Sequence, residues 1–325
     1  MSRDADTSPA RATAIRRDCL RAPVIVAPMF LVSGPDLVVA SCRAGLMGSL
    51  PTQNARTLND LIGWLDTIRG ELANLDSPQW AVSMIVHPSY DRFERELELM
   101  TEHRPTVVVT ALGSPRRVLD TVHGYGGAVF ADVMSVEHAR KAADAGADGL
   151  VLVCHGAGGH TGRLSPFAFV DEVRRFFDGT VVVGGAISTG RGVRAAEVLG
   201  ADLAYLGTRF IACRESMAND RYRDMLVRSR IDDVVATASV TGVLCSWLTE
   251  SLADAGLDGR LDTQGRIDFS DVHGEHKPWK DIFGAGQGVG EIDRVAGVGE
   301  VADQIVQEYL AAGASSHRAS SNGKV

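Results

Sequence analysis

Eight short apolar runs, separated by segments of helical period, constrain this chain of 325 residues more than any other feature. They fall at residues 24–29, 45–50, 80–86, 106–112, 127–133, 149–155, 180–187 and 203–211. Runs this short and this continuously apolar predict strands buried on both faces, as happens when helices cover a parallel sheet. Amphipathic stretches at 58–72, 91–103, 135–145, 167–177 and 190–199 supply such helices. Eight β–α units in close succession predict an α/β fold of the (β/α)8 TIM-barrel type. An open doubly wound sheet competes, but it places its glycine-rich loop after the first strand. Here the glycines cluster after the sixth, seventh and eighth runs.

Residues 215–257, with Met217, Met225, Leu226, Trp247 and Leu248, read as helical and predict a mainly helical accessory lid inserted after strand eight. The expected organisation is a flexible segment at 1–20, a barrel at 21–214 and 284–312, a helical accessory unit at 215–283 and a disordered tail at 313–325. The glycine-dense segment 284–290 is expected to open a final helix over 291–312.

Composition narrows the partners. A net charge of −8 disfavours nucleic acid and acidic membrane surfaces. No apolar run approaches the ~20 residues of a membrane helix, and the first 17 residues contain no apolar leader segment. Cys19, Cys42, Cys154, Cys213 and Cys245 are scattered singly, which predicts reduced thiols, a cytoplasmic protein and no zinc site. An apolar accessory helix would also suit a homodimer.

In a barrel the C-terminal strand ends share one face, and chemistry gathers there. This chain brings Pro28, Met29, Gln53, Ser83, His160, Gly184, Gly185, Gly207 and Thr208 to those ends. The segment Gly156-Ala157-Gly158-Gly159-His160-Thr161-Gly162 sets one imidazole among four glycines, so the backbone can approach a flat ligand closely. Gly184-Gly185 and Gly207-Thr208 end strands seven and eight, the usual phosphate corner of this fold. Backbone N–H groups and the Thr208 hydroxyl can hold a phosphate there without a lysine. FMN fits a phosphate pocket beside an apolar barrel mouth, and so does a sugar phosphate.

Together Pro28-Met29, Ala157-Gly158-Gly159-His160-Thr161-Gly162, Gly184-Gly185-Ala186-Ile187, Gly200-Ala201-Asp202, Gly207-Thr208-Arg209-Phe210 and Gly286-Gln287-Gly288 resemble the nitronate monooxygenase family. The resemblance runs in order from about residue 24 to residue 290. It implies an FMN-dependent oxidoreductase that converts alkyl nitronates and O2 into carbonyl compounds and nitrite. Pro28 and Met29 would lie against the flavin ring, with Gln53, Ser83, Gly158, Gly159 and Gln287 also near the cofactor. Gly184, Gly185, Gly207 and Thr208 would hold its phosphate, and His160 would be the base or electrostatic partner. The alternative within the same resemblance is an NAD(P)H-dependent flavin reductase acting on quinones or enoyl thioesters. Two positions depart from the pattern: Ser83-Met84 replaces an Asn-Leu-type pair, and Asp132 stands where many relatives carry lysine. A flavin-free aldolase or isomerase barrel remains the contrasting class, with Asp132 its acidic candidate.

Other residues have plainer expectations. Cys154 reads as an inert core thiol, and His155 lacks carboxylates at metal-ligand spacing. Asp148 and Asp202, each in a Gly-Ala-Asp triplet, should serve turns at the barrel's bottom. Arg209 and Arg214 could bind an anion or pair with Glu215 or Asp202, and His87 could reach the pocket.

Overall fold

The computed structural model describes residues 15–257 and 282–321, the last of these (315–321) as helical backbone only. In chain order the strands are β1 (Val24–Val26), β2 (Gly48–Pro51), β3 (Trp80–Ile85), β4 (Val107–Ala111), β5 (Ala128–Val133), β6 (Gly149–Val153), β7 (Gly159–His160), β8 (Thr180–Gly184), β9 (Leu203–Leu206), β10 (Val234–Thr237) and β11 (Cys245–Leu248). The helices that follow the barrel strands are α1 (Pro35–Arg43), α2 (Leu58–Leu72), α3 (Phe93–His103), α4 (Arg116–Gly124), α5 (Val136–Asp144), α6 (Pro166–Arg174), α7 (Gly190–Val198) and the short α8 (Thr208–Ile211). Then come α9 (Asp220–Arg228), α10 (Thr249–Asp254) and a C-terminal helix, Val298–Ser321.

Eight strands pair in parallel in the order β1-β9-β8-β6-β5-β4-β3-β2. The seam between the first and last closes through Val26 N–H to Met47 O (2.8 Å) and Met47 N–H to Val24 O (3.0 Å). Closure removes both sheet edges, so every expected strand finds two neighbours. Ile25, Met47, Ala81, Val107, Val109, Phe130, Val151, Val182 and Leu203 fill the interior, which is therefore a packed core rather than a channel. The opposite strand faces pack under the helices in two larger clusters. Helix starts follow local chemistry: Thr57 and Asp60 form a capping box on α2, and Ser135, Thr189 and Asn219 accept from the first turns of α5, α7 and α9.

Four expectations need correction. The run at 203–211 is strand only to Leu206, and Thr208–Ile211 is a helical turn. The accessory region is not helical throughout its described part: between α9 and α10, β10 and β11 pair antiparallel, and β11 pairs with β7. Trp247 and Leu248, expected on a helix, are core residues of this sheet. The final helix begins at Val298 and continues to Ser321, through much of the expected tail, whereas Gln287–Glu291 is a 3-10 turn. Within the expected N-terminal segment, Ile15 is buried and Arg17–Cys19 form a turn. Residues 1–14, 258–281 and 322–325 lie outside the described residues, as do the expectations that fall on them.

Candidate active site

Three loops interlock above the barrel's C-terminal face. The Gly156 carbonyl, just after β6, accepts from Ala186 N–H after β8 (3.2 Å) and from Gln287 N–H (3.0 Å). Thr208 Oγ1, opening α8, accepts from Gly286 N–H at 2.8 Å. A Cβ on Gly158 would lie 2.8 Å from Gly286 N, and one on Gly185 would lie 2.8 Å from the His155 carbonyl oxygen. The glycines are thus required where backbone meets backbone. Gly185 also has φ of +146°, a second reason for glycine there. Thr208, Gln287, Gly158 and Gly185 therefore belong to one assembly, although they are separated by up to ~130 residues of chain, while Gly184 packs against Tyr205.

His160 sits in β7, where it is held as part of a strand rather than in an open loop. It lies opposite Cys245, and Gly159 lies opposite Ser246. Thr161 N–H then bonds Leu244 O at 3.1 Å, while Thr161 Oγ1 donates to Cys154 O at 3.2 Å. The imidazole remains accessible from solvent. Even so, surrounding protein desolvates the ring and lowers its pKa below the ordinary 6.5. At neutral pH His160 is accordingly a neutral imidazole able to accept a proton.

Pro28 and Met29, both half-buried, form the loop after β1. Asn54 clamps it: Nδ2 donates to Met29 O (2.9 Å) and Ser33 O (2.8 Å), and Oδ1 accepts from Leu31 N–H (2.8 Å). Leu31 adopts φ of +60°, a conformation that β-carbon sterics disfavour and that this clamp sustains. Sequence reasoning named the neighbouring Gln53 and missed Asn54. The sequence carries no signal for it, because its partners are backbone groups of the loop after another strand.

The turn carrying Gln53 and Asn54 rests on a buried ionic group. Thr52 Oγ1 donates to Glu96 at 2.5 Å, Tyr90 Oη donates to the same carboxyl at 2.8 Å, and Arg92 pairs with it at 3.0 Å. Arg92 also donates to Ala55 O at 2.9 Å. Burial pushes the Glu96 carboxyl up, opposed by the Thr52 and Tyr90 hydrogen bonds and by Arg92.

The floor beneath the mouth is polar. Ser83 is buried on β3. On β5, Asp132 follows Phe130 on the same face and pairs in register with interior Val151, so it is the last inward residue of its strand. Tyr205 holds the corresponding place on β9. Gln53 Oε1, Asp132 Oδ1 and Tyr205 Oη are all enclosed, with no hydrogen-bond partner among the described residues. Burial raises the Asp132 carboxyl to about 7. Burial, and secondarily the Asp132 charge, raises the Tyr205 phenol. Tyr205 was missed because a single tyrosine in an apolar run reads as core. Gly207 lies against Met29, where a Cβ would stand 3.4 Å from Met29 Sδ, and so joins the first and last strand ends.

The remaining candidates resolve to structure. Cys154 is buried and its thiol is raised to about 12 by burial. Asp148 accepts from Val129 N–H (2.8 Å) and pairs with His123 (2.7 Å). Asp202 accepts from Val181 N–H (2.9 Å) and pairs with Arg17 and Arg174. Arg209 bonds Gln304 (2.9 Å) and Arg214 pairs with Glu300 (2.6 Å), rather than with Asp202 or Glu215. His87 bonds Ser89 at 2.7 Å and is exposed. No group of three or more His, Cys, Asp or Glu among the described residues could hold a metal ion.

Known proteins resemble this chain in sequence and in fold. The nitronate monooxygenase family profile matches residues 77–308. A nitronate monooxygenase of Paraburkholderia phytofirmans is 29% identical over 279 residues, covering 73% of this chain and 76% of that protein. An octahydroindene-carboxyl-CoA dehydrogenase of Mycobacterium tuberculosis is 30% identical, covering 71% of this chain and 65% of that one. Among solved structures, FabK from Thermotoga maritima superposes with TM-score 0.74 at 24% identity (92% and 96% coverage). A nitroalkane oxidase from Streptomyces ansochromogenes gives TM-score 0.74 at 22% identity (92% and 98%). Both likenesses show the fold. With the family match spanning most of the chain, including the histidine loop and the glycine loops that lock it, this oxidoreductase belongs to the nitronate monooxygenase family.

Proposed function

We propose that the barrel mouth binds FMN and that the protein oxidises alkyl nitronates with O2, yielding a carbonyl compound and nitrite. The observation that carries this reading is the set of enclosed polar atoms at the barrel's C-terminal strand ends that lack partners among the described residues, on the face where strand pairing also holds His160. Buried polar atoms in native proteins are nearly always satisfied, so Gln53 Oε1, Asp132 Oδ1 and Tyr205 Oη fit a ligand with a polar ring edge. FMN has such an edge on its isoalloxazine ring.

In this reading Pro28, Met29, Gln53 and Ser83 would hold the ring. Gly184, Gly185, Gly207 and Thr208 would hold the phosphate, while Gly158, Gly159 and Gln287 would complete the enclosure. The chemistry that FMN supplies when bound is transfer of electrons from the organic substrate to dioxygen. His160 accepts the α-proton at a ring nitrogen when the substrate arrives as a neutral nitroalkane. Its lowered pKa keeps that nitrogen unprotonated at neutral pH.

A second reading, NAD(P)H-dependent reduction of a quinone or enoyl thioester, is favoured by the similarity to a carboxyl-CoA dehydrogenase. Visible absorbance under anaerobic conditions separates the two. Yellow protein that is indifferent to NADH and NADPH, bleaches with propyl-2-nitronate and releases nitrite on aeration fits the proposal. Rapid bleaching by either nicotinamide moves the assignment to a reductase. Protein that stays colourless after incubation with FMN refutes both.

A further inference from the structure

Asp132 does nothing for the fold that an apolar residue would not do better. It is the last inward residue of β5, and its enclosed Oδ1 finds no partner among the described residues. Its strand neighbours give it nothing ionic: Ala111 ends β4, and β6 offers Val151 and Val153. From across the barrel, Tyr205 on β9 is the titratable group that registers its charge. Burial is the cause that acts on the carboxyl, with no cation among the described residues countering it. A lone buried carboxyl in such surroundings costs stability unless something binds to it. The Tyr205 hydroxyl nearby carries the same deficit.

We infer that Asp132, in its protonated form and together with the Tyr205 hydroxyl, is a specificity-determining hydrogen-bond donor that receives an acceptor atom of the ligand held in the barrel mouth. The acceptor belongs either to the ring edge of the cofactor or to a nitro or carbonyl oxygen of the substrate. The inference rests on the proposed flavin-dependent function. A lysine at this place would offer the same ligand a fixed positive charge. The carboxyl offers a donor that is present only while it keeps its proton, so ligand affinity becomes coupled to pH.

Two titrations test this in wild type, Asp132→Leu, Asp132→Asn and Tyr205→Phe, each at pH 6 and pH 8.5. The first follows FMN uptake by cofactor-stripped protein through quenching of flavin fluorescence. The second follows nitrobenzene binding to the loaded protein through the flavin spectrum; nitrobenzene has no α-proton and is not turned over. At pH 6, Asp132→Leu is expected to weaken one of the two ligands at least tenfold, and Tyr205→Phe to weaken the same ligand. Asp132→Asn, whose amide still donates, stays within about threefold of wild type. Between pH 6 and pH 8.5 wild type loses affinity for that ligand, and Asp132→Asn does not. Loss in the first titration assigns the donor to the cofactor, and loss in the second assigns it to the substrate.

Wild-type affinity in Asp132→Leu for both ligands overturns the inference, as does a parallel pH response of wild type and Asp132→Asn. Both results leave the flavin reading standing. Failure of folded wild type to take up FMN overturns that reading and this inference with it. Should Asp132→Leu fail to fold, the pH comparison with Asp132→Asn decides alone.

Discussion

Replacing Asp132 with asparagine should stabilise the ligand-free protein above neutral pH and leave it nearly unchanged in acid. The carboxyl's ordinary value of 3.8 rises to about 7 in the fold because burial opposes its charge. At about 1.4 kcal/mol per pH unit, that difference amounts to roughly 4 kcal/mol. The sign follows from which state holds the proton. Between pH 4 and pH 7 the folded chain keeps a proton that the unfolded chain has released, so stability falls as pH rises through this window and then levels off. Below the window both states are protonated and the penalty vanishes. Urea unfolding of wild type and Asp132→Asn at pH 4.5 and pH 8 reads the effect directly. The variant's gain at pH 8 should exceed its gain at pH 4.5 by about 2–4 kcal/mol, the range reflecting relaxation of the protein around the carboxyl. Equal gains at both pH values, or a loss at pH 8, would refute the claim that this carboxyl is an uncompensated buried acid.

Three further outcomes follow from the site. His160→Asn should retain flavin yet lose ~10²–10⁴-fold in turnover of neutral nitroalkane, and the acid-side fall of wild-type turnover should have its midpoint below the ordinary imidazole value of 6.5, because burial lowers the ring's pKa; stopped-flow rates from pH 5 to pH 8 check both. Asn54→Ala removes three hydrogen bonds from the loop after β1, and should cost about 2–4 kcal/mol in urea unfolding and loosen FMN as Met29 is released. Gly158→Ala drives a methyl to 2.8 Å from Gly286 N, so the two glycine loops must part. About 1–3 kcal/mol of stability should be lost, and cofactor uptake, measured by fluorescence quenching, should fall with it.

The barrel was legible because its signal is periodic. Each of the eight apolar runs contains a strand, since burial on both faces leaves no polar alternation to confuse the reading. The glycine loops were legible because backbone contact at 2.8 Å admits no side chain. What stayed hidden is non-local. Residues 234–237 and 245–248 contain enough apolar character for either helix or strand, and they become strands because β11 meets β7, more than 80 residues earlier in the chain. Asn54 and Tyr205 were invisible for the same reason: one acts through carbonyls on another strand's loop, the other through a carboxyl across the barrel. Asp132 stood out as a departure, but whether it was charged depended on burial, which only the fold supplies.

The unexpected accessory sheet changes how His160 is positioned. A histidine in a loop of four glycines would sample many orientations, and each frozen backbone residue costs about 1–2 kcal/mol of entropy. Here β11 absorbs that cost by pairing with Gly159 and His160, and β11 is itself anchored by β10 and by the bridge from Trp247 to Gly284. Gly284 in turn leads into the segment whose Gly286 bonds Thr208 and whose Gln287 bonds Gly156. The placement of the imidazole and the closure of the glycine loops are therefore one mechanical unit. It follows that a substitution that breaks only the accessory pairing, such as Ser246→Pro, should lower turnover by displacing His160. The same change should loosen the cofactor, because the chain from β11 through Gly284 reaches Thr208. If flavin affinity held at the wild-type value while turnover fell, the two functions would be mechanically separate, and the glycine loops would have to be self-supporting without the sheet.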